Sequence, residues 1–252
     1  MLIKDQAICI RSVDYSETSQ IVTFLTDIYG KIHAIAKGSK RPRSAFGGPI
    51  EPLTYGSLVI LDKPHAQLAT LTEFQPRFEI VRGLTRDLGA YNAAMLAIEL
   101  VDRFTKDRDP HPGLYPLLVD FLRQLVETRE VLPRLVGFEL ALLRHVGIQL
   151  VWDCCANCRR PYTESWQGCF FSSSANGVIC RDCEGAFPDR LILDPIVPRV
   201  ISDPACLRSI PLPLLAQLER ILIGHMTNVL GQGLRAAGQF LKGLACQGQH
   251  GP

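Results

Sequence analysis

No apolar run in this 252-residue sequence approaches the ~18 positions that a membrane-spanning helix requires; AAMLAIELV (93–101) already carries Glu99 and is followed at once by Asp102. The opening MLIKDQAICIRS lacks the apolar stretch and small-residue cleavage site of a secretory signal, and it is not the Arg/Ser-rich amphipath of an organelle presequence. A soluble, cytoplasmic protein is expected. Low complexity is lacking as well: 47% apolar and 21% charged residues describe a chain able to bury a core, long enough for one large domain or two to three modest ones. Nor is there a large excess of charge, since the net value of +2 argues neither for nor against a polyanionic partner. Catalytic signatures are missing too. There is no GxxxxGK[ST], HExxH or GxSxG and no HxE ahead of PCxxC, and none of His33, His65, His111, His145, His225 and His250 stands in a pattern that pairs it with a nucleophile. A non-enzymatic protein is expected.

What the chain does have is cysteine in a pattern. Nine cysteines is an odd number, and a reducing compartment disfavours a disulfide framework, so clustered thiols point to metal. Cys155-Ala-Asn-Cys158 and Cys180-Arg-Asp-Cys183 are two CxxC pairs with 21 residues between them, a spacing that lets two tight turns offer four thiolates to one tetrahedral ion. Four sulfur ligands saturate zinc and leave no open position, so the expected site is structural. Cys154 and Cys169 read as bystanders, and Cys9, Cys206 and Cys246 as small hydrophobes.

Charge is also patterned locally. Between Asp27 and Glu51 there is no acidic residue, while Lys31, Lys37, Lys40, Arg41 and Arg43 all fall in that gap, amid turn residues Gly38, Pro42, Gly47, Gly48 and Pro49. Around this patch, AICIR (7–11), QIVTFLT (20–26), KIHAIAK (31–37), GSLVILD (56–62) and QLATLTEF (67–74) read as five strands. Their spacing suits a five-stranded oligonucleotide-binding (OB) barrel, although an SH3-like barrel shares it. On an OB barrel, a basic loop beside the third strand borders the face where single strands lie, with Phe46 and Tyr55 as the nearest aromatics for stacking unless the core takes them. After residue 82 the period becomes helical. Leu84, Leu88, Tyr91, Met95, Ile98 and Val101 predict a helix to about Phe104; Leu114–Leu125, Leu135–Val146, Leu214–Val229 and Leu234–Leu244 predict four more. The resulting expectation is an α+β, multidomain chain: an OB-fold over 1–82, a helical domain over 83–150 and 191–245, and a zinc-binding insert over 151–190.

These residues resemble the bacterial recombination mediator family RecO. The resemblance lies in Asp14-Tyr15 and Glu17-Thr18 before the second strand, Thr26 and Gly30 at the hairpin, the AKG-basic-basic segment, FGG, both CxxC pairs after a helix ending at Gly147, and GQGLRAAGQFL (231–241) with its Arg235. Arg159 stands where that family often has glycine, and Asn176-Gly177 where it has a glycine pair. The resemblance implies binding to single- and double-stranded DNA, annealing of complementary strands, a complex with RecR, contact with single-stranded DNA-binding protein, RecA loading and a role in DNA repair. Lys31, Lys37, Lys40, Arg41 and Arg43 are the expected phosphate contacts, and Cys155, Cys158, Cys180 and Cys183 the zinc ligands. A rival expectation is a protein–protein adaptor of a repair complex that touches DNA only incidentally.

Overall fold

The computed structural model describes residues 1–62, 68–128, 130–201 and 204–247, so His65, His250, the tail and the first residue of the fifth expected strand, Gln67, lie outside the described residues. The chain forms two compact units, Met1–Val131 with the segment from Leu234 onward, and Leu132–Gly233. Five strands open the first: β1 (Leu2–Asp14), β2 (Gln20–Thr26), β3 (Gly30–Ala36), β4 (Tyr55–Leu61) and β5 (Ala69–Arg77). Seven α-helices follow among the described residues, α1 (Glu79–Leu84), α2 (Leu88–Phe104), α3 (Leu114–Glu127), α4 (Val131–His145), α5 (Ile196–Ile201), α6 (Leu212–Leu230) and α7 (Arg235–Gln247). Between α4 and α5 lies a small sheet of β6 (Cys169–Ser172), β7 (Gly177–Cys180) and β8 (Leu191–Ile192).

The barrel closes in the order β1-β2-β3-β5-β4 and back onto β1. Its parallel contact, Ala34 to Ala69 and Ile35 to Thr70, joins β3 to β5 and makes the order that of an OB-fold. That contact resolves the choice between barrels that strand spacing leaves open. Alternate residues of each strand fill the interior, among them Ala7, Cys9, Val22, Phe24, Ile32, Ala34, Leu58, Ile60, Leu71 and Phe74. A bulge between Cys9 and Arg11 bends β1, so its first half pairs with β4 and its second half with β2.

Helical periodicity predicts one helix from Leu84 to Phe104, and the structure breaks it. The side chain of Asp87 accepts a hydrogen bond from Ala90 N at 2.9 Å and restarts the chain as an N-cap, which turns Leu88 out to 75% exposure. The face that α2 buries is made instead by Ala90, Ala93, Ala94, Ala97, Ile98 and Val101, small enough for α7 to pack closely against this helix. Glu99 fastens the pair: its carboxylate accepts from the first backbone N–H groups of α7, Arg235 at 2.9 Å and Ala236 at 2.7 Å. Helices expected in one bundle thus fall in both units.

In the second unit, α4 ends in a Schellman turn with Gly147 at φ +78° and Ile148 N bonded to Leu143 O at 2.8 Å. Glu139 of α4 and Glu219 of α6 are both fully buried, and no group other than the facing carboxyl reaches their oxygens. They face each other. Burial first, and the neighbouring carboxylate second, holds Glu139 well above the usual carboxyl range, while burial pushes Glu219 up to about 8.

Candidate nucleic-acid interface and metal centre

The basic segment leaves β3 in a tight turn, with Arg41 N bonded to Gly38 O at 3.1 Å and Gly38 at φ +72°. A Cβ at Gly38 would lie 3.3 Å from Cδ of Arg41, which folds back across this glycine. Three contacts fasten the turn to the β1–β2 loop: Gly38 N to Ser19 Oγ at 3.2 Å, Lys40 N to Thr18 O at 3.1 Å, and Lys40 Nζ to Asp14 Oδ2 at 2.5 Å. Gln20, which sequence reasoning passed over, holds both ends of the loop. Its Oε1 accepts from Ser39 Oγ and from Ile50 N, each at 2.9 Å, and its Nε2 donates to Ser12 Oγ and to Ile50 O. The buried amide is therefore satisfied by partners on either side of the charged stretch. Lys37, Arg41 and Arg43 stand exposed on this hydrogen-bonded frame, and Lys40 is half-buried in its pair with Asp14.

One correction follows. Lys31 is only 7% exposed and points inward, donating to Asp102 O at 2.7 Å, Thr105 O at 2.8 Å and Asp102 Oδ1 at 3.3 Å. Its ammonium caps the C-terminal carbonyls of α2 and is not available to a phosphate. Phe46 and Tyr55 are likewise buried, Phe46 in the barrel core and Tyr55 with its hydroxyl donated to Glu79 Oε2 at 3.3 Å. The hairpin carrying Lys31 is clamped by the segment after α2. Arg108 N bonds Lys31 O at 2.8 Å, and a Cβ on Gly30 (φ +69°) would strike Asp109 O at 2.3 Å, so glycine is required there.

In the second unit, the Sγ atoms of Cys155, Cys158, Cys180 and Cys183 lie within 4.8 Å of one another. Four thiolates about 2.3 Å from a common ion would be about 3.8 Å apart at tetrahedral corners, and Cys158 and Cys180 show that separation at 3.8 Å. The donor set fits a metal ion. N–H groups converge on the sulfurs: the backbone Cys180 N donates to Cys155 Sγ at 3.4 Å, and the side-chain Asn157 Nδ2 to Cys183 Sγ at 3.3 Å. Burial pushes the Cys155 thiol up, but the backbone N–H groups of Cys158, Cys180 and Asn157 outweigh it and bring it to about 7. Burial and then the neighbouring thiols push Cys180 up to about 12. Cys154 and Cys169 do not join the cluster; Cys169 is buried opposite Cys180 between β6 and β7.

Local geometry shows why both positions favour glycine. Arg159 adopts φ +63° where the first knuckle turns, with its N bonded to Cys155 O at 2.9 Å. Asn176 takes φ +58° in the β6–β7 turn, a conformation asparagine tolerates, while Gly177 remains because a Cβ there would meet Val151 O at 2.3 Å.

Fold and site define an α+β protein in which an OB-type barrel with an exposed basic loop is followed by a helical region bearing a four-cysteine cluster. Comparison with known proteins narrows the class. The family described as "Recombination protein O N terminal" matches residues 1–78, and "Recombination protein O C terminal" matches residues 85–237. The chain belongs to this family. It is 34% identical over 202 residues to a DNA repair protein RecO from Bacillus pumilus (strain SAFR-032), covering 80% of this chain and 76% of that one. Against the protein of the same description from Bacillus subtilis (strain 168) it is 33% identical, with the same coverage. Against that from Anaeromyxobacter dehalogenans (strain 2CP-C) it is 34% identical over 76% of this chain and 74% of the other. No helix among the described residues is long and apolar enough to cross a membrane.

Proposed function

We propose that this chain is a non-enzymatic mediator of recombinational DNA repair that gathers DNA strands on its barrel. Exposed Lys37, Arg41 and Arg43, with Lys40 once it exchanges Asp14 for phosphate, hold the backbones of single and double strands. The observation that carries the reading is the basic loop itself, fastened at both ends by Gln20 and to the neighbouring loop by Lys40, on the rim of an OB barrel in a chain of this family. A rigid display of cations concentrates polyanions without burying their bases, which leaves the bases free to pair. Annealing needs no catalytic group beyond that.

Cys155, Cys158, Cys180 and Cys183 hold a structural zinc ion that orders the small sheet around it. The family resemblance supports partnership with RecR, single-stranded DNA-binding protein and, through them, loading of RecA. The domain assignment that goes with this reading is a DNA-binding barrel over residues 1–82 and a helical region interrupted by the zinc insert at 151–190.

The test is a fluorescence titration of labelled single-stranded DNA at several salt concentrations, with the parent chain and the variant carrying alanine at Lys37, Lys40, Arg41 and Arg43. The parent is expected to lose affinity steeply with salt. Each lost phosphate contact lowers the salt slope by roughly 0.7 and weakens all sequences alike. An unchanged slope and annealing rate in the fourfold variant would return the loop to a merely solvated face and favour the adaptor reading.

A further inference from the structure

With Phe46 and Tyr55 in the core, the barrel face beside the basic loop needs another aromatic if it is to hold bases. Phe24 and Phe74 are inside the barrel, and Tyr29 packs against its core. Of the more exposed rings, Phe78 (42%) stands at the start of α1 with the Arg82 guanidinium over it, and Tyr15 (61%) lies in the loop between β1 and β2. That loop is a built turn: Tyr15 N bonds Ser19 O at 2.9 Å, Ser16 N bonds Ser19 O at 3.2 Å, and Thr18 N approaches Ser16 Oγ at 3.4 Å. The same loop receives Lys40 N at Thr18 O, Gly38 N at Ser19 Oγ and Lys40 Nζ at Asp14. An exposed ring and a row of cations thus share one hydrogen-bonded frame, and Lys40 neutralises the carboxylate next to the ring. Tyrosine joins an apolar ring to a polar hydroxyl, which suits an interface that is apolar on one side and wet on the other. OB barrels take oligonucleotides on the strand 2–3 face and on the loop that Tyr15 occupies.

We propose that Tyr15 is the base-stacking residue of this interface: one nucleobase of a single strand lies on its exposed ring while Lys37, Arg41 and Arg43 engage the neighbouring phosphates. The assignment rests on the reading of the barrel as a DNA-binding surface and adds to it a preference for strands with unpaired bases, because a base inside a duplex offers no free face. The tyrosine is a binding residue that makes no sequence-specific contact, since every base has a π face.

The full-length chain is titrated with two labelled oligonucleotides of equal length, one of thymidines and one in which every base is missing, so that the phosphate charge is identical. The parent should bind the thymidine strand on the order of tenfold more tightly than the abasic one. Tyr15→Ala should bring the thymidine strand down to the abasic level and leave abasic binding unchanged, and Tyr15→Phe should keep the difference. Parental affinity of Tyr15→Ala for thymidines would overturn the proposal, as would an equal loss on both strands, which marks a loop distortion. A parent that binds both strands equally, with a steep salt dependence, overturns stacking but leaves the phosphate interface standing. A parent that binds neither strand overturns both.

Discussion

The basic loop and the four-cysteine cluster are both short, irregular segments, and each is held in place differently. The loop is fixed from outside, by Gln20, Ser19, Thr18 and Asp14 of a barrel that is complete without it. The cysteine segment packs little around its thiols, Cys155, Ile179 and Cys180 with Trp166, Phe170 and Phe187 alongside, while other buried side chains, Phe171 and Val178 among them, lie outside that cluster. An exposed charged loop can be rigid without any ligand if a finished fold hydrogen-bonds its backbone. A small knuckle that binds an ion would draw order from it, because binding free energy there is also folding free energy.

The largest effect should therefore come from the metal. The purified protein is expected to carry about one zinc ion per chain. Cys180→Ser should release it and expose the backbone of residues 151–190 to hydrogen exchange, while the barrel amides stay protected. Full zinc content in both Cys155→Ser and Cys180→Ser would remove the contrast between the two regions.

Next in size is the buried carboxyl pair. Glu139 and Glu219 bind protons more tightly folded than unfolded, so the folded state gains over the unfolded one at low pH. This contribution is fully present below the free-carboxyl value of about 4.3 and declines as pH rises, by up to about 1.4 kcal/mol per unit for each proton lost. For Glu219 the loss is complete once pH passes its folded value of about 8. Chemical denaturation of the parent between pH 5 and pH 9 should show this fall for the second unit, and Glu219→Gln should flatten it. An equal slope in that variant would place the pH dependence elsewhere.

Lys31 and the loop cations make the sharpest test, because they share a sequence neighbourhood and differ in burial. Lys31→Met leaves the C-terminal carbonyls of α2 and the half-buried Asp102 without their cation, a cost of about 3 kcal/mol by denaturant midpoint. Its salt slope for DNA should match the parent's. The fourfold alanine variant of Lys37, Lys40, Arg41 and Arg43 should do the reverse, melting within a degree or two of the parent, as exposed charges contribute little to folding, while losing DNA affinity. A stable Lys31→Met chain with impaired binding would put Lys31 back among the phosphate contacts.

The sequence by itself determined whatever depends on near neighbours. Strand alternation marked all five barrel strands, since a half-buried strand repeats every two residues, and the CxxC spacing marked the thiol cluster, since a knuckle is a turn of a few residues. The cationic gap between Asp27 and Glu51 was equally plain, though not which of its members face water. Tertiary structure alone decided that. Lys31 is taken inward by carbonyls 71 and 74 residues away, and Gln20 reaches a partner 30 residues on to hold the loop that displays the others. Glu99 of α2 caps a helix 136 residues later, so the last helix belongs with the barrel's unit although its sequence reads like any other amphipathic stripe. The same holds for the aromatics: Phe46, nearest the basic residues in sequence, is drawn into the core, and Tyr15, some 25 residues upstream of Lys40, is left on the rim. The physical reason is that a side chain's hydrogen-bond partners and its share of buried area come from whichever segments the closed barrel and packed helices bring beside it, and local spacing does not encode that distance.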